Sequence, residues 1–189
     1  MARSFSAKKS KAGKAIKCGR CQAAILPGEQ YFFFSVGFRG SKQYRCPKHH
    51  PKPSELCGSK MSGAYAANEG IENELNSTTA TIGSIASTLE SAAGEIESVR
   101  DEYQDSYDNL PENFQNGDMG SEIQEKIDGL DEYAQALNDK VSEVSDLEAK
   151  QTDVPTDNAD AEDKALDDNE ALLQQAKDLA EEVLGAFSL

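Results

Sequence analysis

All four cysteines (Cys18, Cys21, Cys46, Cys57) and both histidines (His49, His50) of this 189-residue chain fall between positions 18 and 57. Two ligand-like pairs stand out there, Cys18-Gly-Arg-Cys21 and Cys46-Pro-Lys-His49, with 24 residues between them. A two-residue spacer lets one tight turn aim two donor atoms at a single point. Zinc takes four nitrogen or sulfur ligands in a tetrahedron, and a set closed by four protein ligands is structural rather than catalytic. The pairs therefore predict one structural Zn2+ held by Cys18, Cys21, Cys46 and His49, with His50 or Cys57 as alternative fourth ligands. Disulfides fit less well, because the spacing is ligand-like and the basic N-terminus lacks the apolar block of a secretory signal. A redox C-x-x-C would need a βαβ setting that the flanking sequence does not provide.

The stretch between the pairs reads as a small β-module. Leu26-Pro27-Gly28-Glu29 predicts a turn, residues 30–38 an aromatic-rich strand, Arg39-Gly40-Ser41 a reversal, and residues 42–45 a returning strand. Two knuckles flanking a hairpin give a zinc-ribbon-like layout over residues 17–60. The long spacing between the pairs resembles that of the zinc fingers of poly(ADP-ribose) polymerases. Their second pair runs His then Cys, whereas here it runs Cys then His, so neither their DNA-break binding nor their residues carry over. Strand alternation puts Phe32, Phe34, Val36 and Phe38 on one face as the module's core. Tyr31 and Phe33 fall on the other face, where they either stack unpaired bases or pack against the rest of the chain.

The overall charge of −15 conceals two opposed halves. Residues 1–60 hold 13 Lys and Arg against only Glu29 and Glu55, a balance of +11, while residues 61–189 hold 6 against 32, a balance of −26. Such asymmetry predicts two parts with different partners. For the basic part the expected partner is DNA or RNA, bound through phosphates by counterion release. The expected contacts are Lys14, Lys17, Arg20, Tyr31, Phe33, Arg39, Lys42, Arg45 and Lys48, with residues 1–16 a basic disordered arm. A hydrophobic content of 38% without Trp is lean for one globule of this length. No apolar run approaches the roughly 18 residues of a membrane span, so no membrane partner is expected.

The acidic part is patterned for helices. From Ile71 a 4-3 spacing runs through Leu75, Thr78, Ile82, Ile85, Leu89, Ala92, Ile96, Val99, Tyr103, Ser106 and Leu110, which predicts a single coiled-coil-like helix over 64–107, about 65 Å long. Pro and Gly break the pattern at 109–120. A capping-box-like Ser121-Glu-Ile-Gln124 then restarts it, with Ile123, Ile127, Leu130, Ala134, Leu137, Val141 and Val144 along the seam. After an acidic linker at 151–165, residues 166–184 predict a last helix with Leu166, Leu173, Ala176, Ala180, Val183 and Phe187 on one stripe. Helices of this kind are marginal alone and must pair, either as an antiparallel hairpin or by self-association. The expected fold class is thus a small β zinc-ribbon-like module, then an all-α, coiled-coil-like helical hairpin over 61–150, and a third, amphipathic C-terminal helix over 166–189.

The segment from Arg100 to Gln115 (RDEYQDSYDNLPENFQ), with Gly120 and Glu125-Lys126 after it, resembles a stretch of uncharacterised bacteriophage proteins. The resemblance covers about thirty residues; it implies a phage or prophage origin and a location in the host cytoplasm, and it transfers no functional residue. No nucleophile elbow, P-loop or dinucleotide-binding glycine pattern is present, and the only histidines belong to the ligand-like cluster, so no enzymatic activity is expected. The expected role is a zinc-binding, nucleic-acid-associated adaptor whose acidic helices associate with themselves or with a protein. Two alternatives are a protein-interaction or host-interference factor acting through those helices, their carboxylates imitating nucleic-acid charge, and a minor structural or assembly protein.

Overall fold

A polar N-terminal segment becomes ordered structure by lending its backbone to a neighbour. In the computed structural model, which describes residues 7–35, 41–152 and 159–187, strand β1 (Lys8–Lys11) pairs antiparallel with β4 (Gln30–Phe34), and β4 pairs antiparallel with β5 (Gln43–Arg45). The register sets Lys8 opposite Phe33 and Ser10 opposite Tyr31, then Phe33 opposite Tyr44 and Phe32 opposite Arg45. Part of the expected disordered arm is therefore a strand. Lys-Lys-Ser-Lys carries no apolar alternation to announce it; backbone hydrogen bonds to β4 hold it instead. Beside this sheet, β2 (Ile16–Lys17) and β3 (Ala24–Ile25) form a two-stranded hairpin.

The chain enters β4 through the expected turn. Gly28 has φ +92°, and the Glu29 N–H donates to the Leu26 carbonyl at 3.0 Å. Pro at the second position and a left-handed Gly at the third make it a type II turn. Ala12, Cys18 and Ile25 form the small buried centre beside it, with Ile16, Tyr31 and Cys46 packed around them. Phe34 is buried, Phe32 is half-buried, and Val36 and Phe38 lie outside the described residues. The short helix α1 (Pro53–Leu56) follows the second ligand pair.

Two compact units divide the chain, residues 1–66 and 67–189. Helix α2 (Ser62–Leu75) spans the division, and α3 (Ile82–Asp108) follows it. The single helix expected over 64–107 is thus interrupted at 76–81, the sequence Asn-Ser-Thr-Thr-Ala-Thr. These side chains bind the local backbone in place of a helical ladder. The Asn76 amide donates to the Glu72 carbonyl, and the Thr79 N–H donates to Ser77 Oγ. Thr81 and Ser84 then exchange side chain-to-backbone bonds as a reciprocal cap for α3. Thr78, assigned to the seam by spacing, is exposed.

In the second unit, α5 (Asp118–Glu148) runs antiparallel to α3, as Arg100–Asp131 and Glu97–Asn138 contacts show. Helix α6 (Ala159–Gly185) is antiparallel to α5 through Lys140–Glu182 and the Tyr133–Phe187 ring pair. The buried stripes are Ile82, Ile85, Leu89, Ala92, Ile96 and Val99 on α3, and Ile127, Leu130, Ala134, Leu137 and Val144 on α5. On α6 the stripe is Ala165, Ala176, Ala180 and Val183, whereas Leu166 is 51% exposed. Ala165 lies eleven residues, three full turns, before Ala176, so it takes the seam in place of Leu166. Asn68 of α2 accepts a hydrogen bond at 2.7 Å from Tyr133 Oη in the interior. Burial pushes that phenol up to about 12, against the opposing pull of this bond. No helix among the described residues is long and apolar enough to cross a membrane.

The α3–α5 connection holds a short helix, α4 (Glu112–Gln115), and α5 starts at Asp118 rather than at the expected Ser121 box. In its first turn Gly120 is buried against the main chain of Gln115: an added Cβ would overlap the Gln115 carbonyl carbon and oxygen. Gly120→Ala is therefore expected to destabilise the protein by about 1–3 kcal/mol, as overpacking against a backbone does. Gly94 of α3 has open space around its Cβ position among the described residues. Gly94→Ala should stabilise by up to about 1 kcal/mol through helix propensity. Urea unfolding followed by helical ellipticity checks both signs at once.

Candidate metal centre

Two reversals deliver the four donors. The first is the tip of the β2–β3 hairpin: the Cys18 N–H donates to the Ala23 carbonyl at 3.0 Å, and the Gln22 N–H donates to the Cys18 carbonyl at 2.9 Å. Gln22 closes this turn in the left-handed region at φ 58°. The second follows β5, where the His49 N–H donates to the Cys46 carbonyl at 2.9 Å. Cross-links join the two turns. The Gly19 N–H donates to the Tyr44 carbonyl at 2.8 Å, and the Cys46 N–H points at Cys18 Sγ at 3.4 Å.

The donor atoms of Cys18, Cys21, Cys46 and His49 consequently all lie within 4.8 Å of one another. Cys46 Sγ is 3.2 Å from His49 Nδ1, Cys18 Sγ is 3.8 Å from the same nitrogen, and Cys21 Sγ is 4.0 Å from Cys46 Sγ. Tetrahedral zinc with Zn–S of about 2.3 Å and Zn–N of about 2.1 Å requires donor separations of about 3.6–3.8 Å. The observed spread brackets that range. Every cysteine is a free thiol. His50 instead packs its ring on Phe32 at 4.1 Å between centroids, and Cys57 Sγ lies 3.1 Å from Ser59 Oγ. Both alternative fourth ligands are thus occupied elsewhere, and His49 Nδ1 completes the cluster.

The thiols are not equivalent. Burial opposes ionisation of Cys18, yet backbone N–H groups of Cys21, Cys46 and Arg20 and the His49 ring outweigh it, so its pKa falls to about 5. For Cys21 the Ala23 N–H favours the thiolate, but burial and the neighbouring sulfurs of Cys18 and Cys46 push its pKa upward. One sulfur is ready to ionise and its neighbour resists. A divalent cation at the centre would remove that conflict, since coordination deprotonates thiols outright. The donor set and its geometry are compatible with a metal site.

A carboxylate braces the site from outside. Glu55 Oε1 accepts from Arg45 Nη2 at 2.7 Å, Arg45 Nε at 3.2 Å and Arg20 Nη2 at 3.1 Å, while its Oε2 accepts the Lys52 N–H at 3.0 Å. Arg20 belongs to the first ligand turn and Arg45 immediately precedes Cys46, so one side chain ties both turns to α1. Gly19 lies beneath this clamp, where a Cβ would strike Arg45 Nη1 and push the guanidinium from its place. Spacing arguments missed Glu55 and Gly19; Glu55 could have been singled out as one of only two acids in sixty residues.

The expected phosphate contacts separate accordingly. Lys14, Lys17, Lys42 and Lys48 are exposed. Arg45 is buried at 8% exposure with its guanidinium on Glu55 and the Tyr44 carbonyl, which takes it out of the phosphate-facing set. Arg20 shares the same carboxylate while keeping 32% of its side-chain surface. Tyr31 and Phe33 are half-buried, and Arg39 lies outside the described residues.

Burial works against the Glu55 charge, but Arg45, the Lys52 N–H and Arg20 together hold its pKa below the ordinary 4.5. A depressed carboxylate stabilises the fold fully above the ordinary glutamate range, and that contribution fades as pH falls through the depressed value. Glu55→Gln should cost about 1.5–3 kcal/mol at pH 7, the range for hydrogen bonds to charged groups. The gap between wild type and variant in denaturant unfolding should stay constant from pH 8 to 6 (about two units above the carboxylate range) and close in acid. A gap independent of pH would refute the role of the charge.

No family model, curated protein or solved structure matches the chain, so the bacteriophage resemblance stays an expectation and the site's role is read from its own side chains.

Proposed function

We propose that the N-terminal unit is a zinc-organised module that binds the sugar–phosphate backbone of nucleic acid, with the helical unit serving as its protein-facing adaptor half. One observation carries this reading. The only two carboxylates in the first sixty residues are consumed internally: Glu55 by Arg45 and Arg20, and Glu29 Oε2 by the Leu26 N–H at 2.7 Å. Lys9, Lys11, Lys14, Lys17 and Lys48 therefore stand exposed without a carboxylate from their own module. A small body with so many uncompensated ammonium groups binds a polyanion by releasing its condensed counterions. Three thiolates also require a compartment that keeps thiols reduced, which agrees with an intracellular role.

The metal acts here as a strut. With four protein donors it has no open position for a substrate or an activated water, so the reading is non-enzymatic. Its task is to hold the Cys18–Cys21 turn and the Cys46–His49 turn together, and thereby Lys17 and Lys48 beside them, as a fixed charged surface. The helical unit carries the opposite charge, with 32 acids against 6 cations after residue 60. Its exterior would repel nucleic acid and favour a basic protein partner or salt-bridged self-association.

Binding of a labelled oligonucleotide to the full-length, zinc-loaded protein tests the proposal, with affinity measured across a salt series. Four to six phosphate contacts predict a log–log slope of about −3 to −5. Lys14→Gln with Lys17→Gln and Lys48→Gln should flatten the slope by about two to three contacts, and chelation should abolish binding. Absence of any salt-sensitive affinity for DNA or RNA would defeat the reading.

A further inference from the structure

From the aromatic face of the three-stranded sheet we infer that the nucleic acid recognised is single-stranded, its bases stacking on Phe33 and Tyr44 while lysines hold the flanking phosphates; this rests on the nucleic-acid reading above. Side chains alternate across a strand, so the cross-strand register fixes which groups share this face. Lys8 lies opposite Phe33 on one side, and Tyr44 lies opposite Phe33 on the other. Tyr31 joins them from two positions earlier on β4. Its ring centroid is 5.9 Å from Phe33 and 5.8 Å from Tyr44, with interplanar angles of 39° and 57°.

The three rings do not serve equally. Tyr31 packs on the Ala12, Cys18 and Ile25 centre, which roots the cluster in the metal-bearing part of the module. Phe33 and Tyr44 are half-buried and are not among the side chains packed on that centre. Lys42 reaches over the Phe33 ring, its Nζ 5.7 Å from the centroid. Lys42 and Lys8 are both exposed, so each side of this aromatic surface ends in an ammonium group.

That combination discriminates between nucleic-acid forms. A duplex presents phosphates but keeps its base faces stacked inside, so aromatic rings gain nothing from it. A single strand offers both its phosphates and its π-faces, and aromatic side chains beside a cationic track stack its bases whatever the sequence. Charge complementarity selects this occupant over an apolar peptide, which would leave Lys8 and Lys42 unanswered.

The test uses the full-length, zinc-loaded protein and four probes of equal length: single-stranded DNA, single-stranded RNA, duplex DNA, and an abasic DNA strand that keeps every phosphate but has no bases. Base-bearing single strands of either sugar should bind at least about tenfold more tightly than the abasic strand, the gain of one stacked base. They should also bind more tightly than the duplex. Phe33→Leu and Tyr44→Leu, which keep apolar bulk, should each erase most of that preference while leaving abasic affinity and its salt slope unchanged. Quenching of tyrosine emission, readable because the chain has no Trp, provides an independent signature in the unmutated protein. Equal affinity for base-bearing and abasic strands would overturn this inference and leave phosphate binding standing. Preference for duplex, or a preference that survives both substitutions, would also overturn it. No binding to any probe would remove both this inference and the reading beneath it.

Discussion

Three sulfurs and an imidazole nitrogen drawn within 4.8 Å of one another are what the N-terminal unit is built around. The hairpin of β2 and β3, the turn after β5 and the pairing of β4 with β5 all end at those atoms. Among the described residues of the module the buried cluster beside them is Ala12, Cys18 and Ile25, with Phe34 buried as well, little apolar surface to offset the ordering entropy of sixty residues. One of its three members is itself a donor. Cys18 and Cys21 are pushed in opposite directions by their shared surroundings, a conflict that a bound cation would remove.

Charge is partitioned as sharply as structure. In the first unit two acids are spent on internal bonds, and one of them, Glu55, locks Arg20 and Arg45 behind the ligand turns. Lys9, Lys11, Lys14, Lys17 and Lys48 are left exposed. In the second unit the cations bridge helices instead: Arg100 of α3 holds Asp131 of α5 at 2.7 Å, and Lys140 of α5 holds Glu182 of α6 at 3.1 Å. These exposed pairs orient helices more than they stabilise them. The buried stripes of Ile, Leu, Val and Ala supply the cohesion.

What could be read from residue order follows a physical rule. Donor spacing of two residues, Pro-Gly in a turn, and the 4-3 repeat are local constraints, and residues 18–21, 26–29, 46–49 and 82–99 appear where those constraints put them. Features that depend on a distant partner were silent. Strand β1 exists because β4 has a free edge, which Lys-Lys-Ser-Lys cannot advertise. Arg45 has the charge of a phosphate ligand, and only Glu55, ten residues further on, turns it inward. The break at 76–81 was local but was outvoted: a heptad count accepts Thr78 as one weak seam position, whereas the hydroxyls and amides around it compete for the backbone. Gly120 reveals its purpose only when Gln115 is found beside it.

Metal content per chain tests the central claim most directly. Elemental analysis of full-length protein purified without chelator should give one zinc per chain in the wild type, one in Cys57→Ser and one in His50→Ala, but essentially none in Cys46→Ser. Wild-type protein free of zinc whose residues 8–46 still show ordered strand pairing would contradict the account, as would loss of the ion on replacing Cys57 or His50.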